Sequence, residues 1–220
     1  LIWTEELIAR AIALQTLARK CVVLVDNCQW TGHECDVLGV TTDLRVIDVE
    51  VKVSRADLKS DAAKDKWWHR LSYCEAEELG LLEPGKPWDA WAHKTARPHP
   101  PKVWKHYYAM PKDIWRPELL DYLPSSASGI LLLSKQGGTA RDPDGGMVVV
   151  NCLRRATPAK DAYRLKPAQV MDIARLANLR MWEAYRRRDE AEREAWNATQ
   201  QIRAVTGDCW RFGEGLREAA

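Results

Sequence analysis

Eight residues, Ile47-Asp48-Val49-Glu50-Val51-Lys52-Val53-Ser54, constrain this chain more than any other stretch. The Val and Ile content favours extended backbone, and alternate residues of a strand share a face. Glu50 and Lys52 therefore project together, about 7 Å apart along the strand. Val49, Val51 and Val53 point the other way. A carboxylate and an ammonium inside so apolar a strand are costly unless paired or holding something. Another acid, Asp36, stands alone near the start of the preceding apolar run, Cys35 to Thr41. Only a short turn at Thr42-Asp43 separates that run from Leu44 to Ser54, so the two strands must be antiparallel neighbours. That pairing brings Asp36 near Glu50.

With 220 residues the chain fits one domain with an appendage, or two small domains. Hydrophobic residues make up 46% and charged residues 29%, a globular balance that excludes a disordered chain. The formal net charge of +2 excludes a uniformly basic nucleic-acid binder, so any basic surface must be local. Eleven Trp against one Phe points to half-buried and binding positions, which Trp favours. No run approaches the roughly 20 apolar residues of a membrane span. The start resembles no secretory leader and lacks Met, which reads as a trimmed or partial N-terminus. Six cysteines scattered at 21, 28, 35, 74, 152 and 209 are expected to be reduced thiols in a cytoplasmic protein. Cys21, Cys28, His33 and Cys35 are the one grouping to weigh for zinc. They lack the usual C-x2-4-C ligand spacing, so buried thiols are the expectation.

Along the chain, Thr4 caps a helix expected to run to about Lys20, with Leu7, Ile8, Ala11, Ile12, Leu14 and Leu17 on its core face. Glu5 and Glu6 suit its first turn, and Glu6 is also a candidate to lean toward a metal. Strands follow at Cys21 to Val25, Cys35 to Thr41 and Leu44 to Ser54. A helical stretch is expected from Arg55 to about Leu82, capped by Ser54, with Lys59, Asp61, Lys64, Lys66 and Arg70 on its polar side. From Pro84 to Lys105 many prolines exclude regular structure. Lys86, Trp88, Trp91, Lys94, Arg97 and Lys102 there mix cations with aromatic rings, a composition able to track a phosphate backbone and stack bases. His106 to Met110, Gly129 to Ser134 and Met147 to Leu153 read as strands, and Pro117 to Tyr122 as a short helix. Gly137 to Gly146 fits neither phosphate-loop pattern and reads as a turn. Pro167 opens a long helix whose Val170, Ile173, Ala177, Met181 and Ala184 recur at a spacing near 3.5. Beyond Arg186 it becomes strongly charged, a form suited to pairing with a second copy.

Phosphodiester hydrolysis needs an activated water, charge neutralisation on the phosphate and a stabilised leaving oxygen. Mg²⁺ or Mn²⁺ held by one or two carboxylates can supply these. Asp36 and Glu50 offer the carboxylates and the Val51 carbonyl a third ligand. Lys52 would orient or help deprotonate the water, or hold a phosphate oxygen.

The residues Cys35-Asp36-Val37-Leu38, Asp48 through Asp57, Asp61, Lys66-Trp67 and Tyr73-Cys74 resemble the PD-(D/E)XK nuclease superfamily. They are most similar to its MmcB-like branch of DNA-repair nucleases. Tyr107 to Pro111 and Ser128 to Leu132 resemble its later core strands. The likeness spans roughly Cys21 to Val150, with residues about 75–105 as an insertion. Cys35 stands where that family usually has Pro.

This resemblance implies an α/β, restriction-endonuclease-like core: a mixed central sheet flanked by helices, over residues 1–165, followed by a helical extension, 166–220. It implies Asp36, Glu50 and Lys52 as catalytic residues, with Asp57, Asp61 and Lys66 lining the site. The expected activity is a Mg²⁺-dependent deoxyribonuclease, endonuclease rather than exonuclease, acting on DNA in repair, recombination or phage DNA processing. The competing expectation is a catalytically silent nuclease fold that binds DNA or a protein.

Overall fold

The computed structural model describes residues 2–82, 85, 87–89, 93–137 and 147–215, with side chains described through residue 204. Thr4 accepts the Leu7 N–H at 3.2 Å and starts α1 (Glu5–Ile12). The helix does not continue regularly to Lys20: Ala13–Leu17 form a turn of π-helix. The wider turn rotates the face that follows, so Leu17 is buried and Leu14, expected in the core, is exposed.

Three strands follow as an antiparallel meander, β1 (Cys21–Cys28), β2 (Cys35–Thr41) and β3 (Val46–Val51). After α2 (Arg55–Ser60) come β4 (Trp68–Arg70), α3 (Tyr73–Glu78) and β5 (Lys94–Ala96). The chain then re-enters the main sheet through β6 (Val103–Pro111), β7 (Gly129–Gln136) and β8 (Met147–Arg154). α4 (Pro167–Gly215) is the long C-terminal helix. The sheet is six-stranded and mixed, in the order β1-β2-β3-β6-β7-β8, with β6 parallel to both β3 and β7. A separate two-stranded ribbon pairs β4 with β5. This is the α/β class expected, a mixed sheet flanked by helices.

The segment 55–82 departs from the single helix expected. Lys64 is extended (φ −66°, ψ 139°) between two 3-10 turns, Asp61–Ala63 and Asp65–Trp67. The break has a physical cause: Asp61 is buried and draws both Lys64 and Trp67 back onto it, which one continuous helix could not do. The proline-rich stretch is likewise less irregular than expected, since it carries β5 and the start of β6. The glycine-rich turn falls mostly on 138–146, outside the described residues.

Strand alternation divides the sheet's core in two. One face carries Val37, Val49, Val51, Ala109, Leu131 and Leu133 against α1. The other carries Tyr108, Met110, Ile130 and Leu132 against Leu58 and Trp67. Where β6 and β7 meet, Gly129 lies against Tyr107. A Cβ there would stand inside van der Waals contact of the Tyr107 ring and 2.7 Å from the Ala156 nitrogen. Gly129→Ala is therefore expected to cost about 3 kcal/mol through overpacking. A lowered urea midpoint at unchanged slope would register it, and an unchanged midpoint would refute it.

The chain divides into two compact units, Leu1–Ala174 and Arg175–Ala220. The division falls inside α4, beyond the boundary expected near 165, because Ile173 is buried and Leu165 donates its N–H to Leu44 O. Within the second unit, Leu179, Met181, Trp182 and Trp196 are exposed. No helix among the described residues is long and apolar enough to cross a membrane. Cys21, Cys35, Cys74 and Cys152 are free thiols.

Candidate metal centre

β3 is buried along its whole length, so its alternation puts Asp48 and Glu50 into the interior beside the second face, with Lys52 just beyond its end. β2 pairs with β3 only as far as Val37↔Val49, while it follows β1 to Cys28↔Cys35. Asp36 therefore stands where β2 parts from β3. Its Oδ2 fills the gap by accepting the Val51 N–H at 2.6 Å. The Lys52 N–H goes the other way, to Ala109 O on β6. In extended chain the N–H and C=O of one residue point to the same side, so the Val51 carbonyl faces the gap that Asp36 occupies.

Burial pushes the Asp36 pKa up to about 6, with the Glu50 charge adding to the rise. Two carboxylates thus compete for one region, an arrangement that a divalent cation would relieve.

Behind them lies a dense ionic cluster. Lys52 Nζ is 3.0 Å from Asp61, 3.3 Å from Glu50 and 3.5 Å from Asp57. Lys64 Nζ is 2.8 Å from Asp61 and 3.3 Å from Glu50. Lys66 donates to Glu50 Oε1. Asp61 also accepts from Trp67 Nε1 at 3.0 Å and Tyr108 OH at 2.5 Å. Burial disfavours the Glu50 charge, yet Lys66, followed by Lys52, holds its pKa below the ordinary carboxylate value against the opposing charge of Asp61. Asp61 is buried too, and Lys66 and Lys52 hold it far below that value. Burial works against the Lys52 charge, but Asp61 and Glu50 raise its pKa. Lys52 is thus an ammonium at neutral pH: a donor and a positive charge, not a base.

The structure brings Asp36, Glu50, Lys52, Asp57, Asp61 and Lys66 into one neighbourhood. Glu6 does not join them. It is exposed on α1, which packs on the opposite face of the sheet. Lys86 and Trp91 lie outside the described residues. Of the other basic-aromatic candidates, Trp88 contacts Tyr73 and stacks on His93. Lys94 sits over Trp68, and Lys102 over Trp30. Arg97 bonds His69 Nδ1 at 2.9 Å, and its own N–H reaches Trp67 O.

Sequence reasoning missed Lys64, Asp48 and His106 as members of a site. Asp48 shares the parity of Glu50 and Lys52, a signal that was present. Lys64 was hidden by the helix expected over it. The grouping weighed for zinc is split: Cys21 lies opposite Thr41 and Cys28 stands in register with Cys35, while His33 and Cys35 come together with Asp48, which also groups with Glu50 and His106.

No protein-family model and no curated protein matches the chain. Among solved structures it overlaps the SPO1766 protein of unknown function from Silicibacter pomeroyi, at 19% identity and a TM-score of 0.46. The overlap covers 87% of this chain and 96% of that one.

Proposed function

We propose that this chain is a Mg²⁺- or Mn²⁺-dependent deoxyribonuclease that cuts internal phosphodiester bonds. The observation that supports the reading is that Asp36, held by the Val51 N–H where β2 leaves β3, stands close enough to Glu50 for the Glu50 charge to raise its pKa. Asp36, Glu50 and the Val51 carbonyl would hold the ion, and the ion would supply an activated water and neutralise phosphate charge. Lys52 follows Glu50 by two residues, and its ammonium is fixed by Asp61 and Glu50. It would face a phosphate oxygen as charge develops there. Asp61, Lys64 and Lys66 set the position of that ammonium and of the Glu50 carboxylate. Trp67, bonded to Asp61, leads directly into the β4–β5 ribbon, which carries Lys94 and is followed by Arg97; in this reading those two cations would meet the DNA backbone.

One observation favours the competing reading, a nuclease fold that binds DNA or a protein without cutting. Both Glu50 oxygens are already engaged by lysines. The two readings separate in one experiment. The protein is incubated with supercoiled plasmid and with duplex, branched and single-stranded oligonucleotides, in Mg²⁺, Mn²⁺ or chelator. Cleavage that requires the ion and falls about 100-fold or more in Lys52→Met supports catalysis. DNA binding without cleavage in either metal supports the silent module. Full-rate cutting by a folded Lys52→Met protein would remove that residue from the mechanism.

A further inference from the structure

Asp48 is fully buried, yet among the described residues its ion-pair partners are two histidines and no lysine or arginine. His33 Nε2 lies 3.2 Å from Asp48 Oδ2 and 3.7 Å from Cys35 Sγ. His106 Nε2 lies 3.9 Å from the same Asp48 oxygen. Two atoms in this group have no hydrogen-bond partner, Asp48 Oδ1 and His106 Nε2. An unpaired carboxylate oxygen and an unpaired imidazole nitrogen, both deep in the interior, are expensive to leave unmatched.

We infer that His33, Cys35 and Asp48 form a second metal site, for a thiophilic transition-metal ion of the zinc class. Its donors are distinct from Asp36 and Glu50, and His106 stands beside Asp48 as a supporting group. The donor set is the mixed N, S and O set that such an ion takes. Tetrahedral ligands bound at about 2.0–2.3 Å stand roughly 3.3–3.7 Å from one another, and His33 stands 3.2 Å from Asp48 and 3.7 Å from Cys35. The charge also balances: the Asp48 carboxylate and a Cys35 thiolate neutralise a divalent cation, leaving no net charge in the interior. Binding forms the metal–sulfur bond and displaces the Cys35 thiol proton to solvent, with no change of oxidation state.

The surroundings are those of a ligand set held in place from behind. His106 bonds Ser128 Oγ through Nδ1 at 3.0 Å, which turns Nε2 toward Asp48. The Cys35 sulfur lies 3.3 Å from the buried Thr31 hydroxyl. Gly32, at φ +97°, closes the turn from Gln29 that leads into His33. His33 keeps 13% of its side chain exposed, which gives an ion a way in.

The test is a Co²⁺ titration of the full chain, read by absorbance. A thiolate-to-cobalt charge-transfer band in the near ultraviolet is expected to saturate at about one equivalent. Zn²⁺ should bleach it and millimolar Mg²⁺ should not. Cys35→Ser should abolish the band, while Cys74→Ser and Asp36→Asn should retain it. Retention in Asp36→Asn keeps this site's fate separate from that of the nuclease reading. Should Cys35→Ser fail to fold, X-ray absorption of the zinc-loaded wild-type protein decides. One sulfur neighbour at about 2.3 Å with nitrogen and oxygen near 2.0–2.2 Å supports the site. A nitrogen- and oxygen-only shell overturns it, as does a folded wild-type protein that develops no band.

Discussion

Asp36→Asn is expected to abolish metal-dependent cleavage and, in metal-free buffer at pH 7, to make the protein more stable. The first effect follows from losing a charged ligand. A bound ion stabilises transition-state charge by several kcal/mol, so the rate should fall about 1,000-fold or more. The second follows from linkage. Burial and Glu50 raise the folded-state pKa of Asp36 to about 6, against an ordinary value of 3.8. The folded state then holds this proton more tightly than the unfolded state. Ionisation begins to weigh against the fold as pH rises past about 4, and the full penalty is present above about 6. The shift sets a ceiling of about 3 kcal/mol, and about 1–2 kcal/mol is expected because Asp36 keeps some contact with water. Asn removes the charge and can still accept the Val51 N–H. Mg²⁺ should reverse the order, raising the melting temperature of the wild-type protein and leaving that of the Asp36→Asn variant unmoved. Urea unfolding with and without Mg²⁺ measures both. An Asn variant less stable than wild type without metal would show that the Asp36 charge serves the fold and not an ion.

That opposition between stability and site is partly legible in the order of the amino acids. Asp36, Glu50 and Lys52 can be read because they interrupt apolar runs, and strand parity is the most dependable geometry a sequence carries. The order of the first three strands follows from turn length alone. The π-turn at Ala13–Leu17 could not be foreseen, because nothing in its composition distinguishes it from ordinary helix. The break at Lys64 was hidden for a different reason. It depends on a carboxylate, Asp61, whose burial arises only once β6 places Tyr108 against it. The pairing of His33 with Asp48 was likewise out of reach, since their separation of fifteen residues is bridged by the β2–β3 register.

Asp61→Asn should be the most destabilising single substitution in the ionic cluster, at about 3–5 kcal/mol. Asp61 has no exposure and faces Lys52, Lys64 and Lys66 together. Asn can keep the bonds from Trp67 and Tyr108 but leaves Glu50 as the one buried carboxylate for three ammonium groups. Breaking one side of a buried pair costs more than the pair contributes, because the remaining charges stay desolvated. The pH dependence gives the cause its own signature. The folded-state pKa of Asp61 is depressed, so its contribution is fully present above the ordinary value of 3.8 and is lost as pH falls toward the folded one. Wild-type stability should therefore fall below about pH 4, and the Asn variant, already lacking that contribution, should fall less steeply. Urea midpoints at pH 7 and across the acid range measure both effects. A loss under about 1 kcal/mol at pH 7 would mean that Lys64, the most exposed of the three ammoniums, swings to solvent and that Glu50 alone satisfies Lys52 and Lys66.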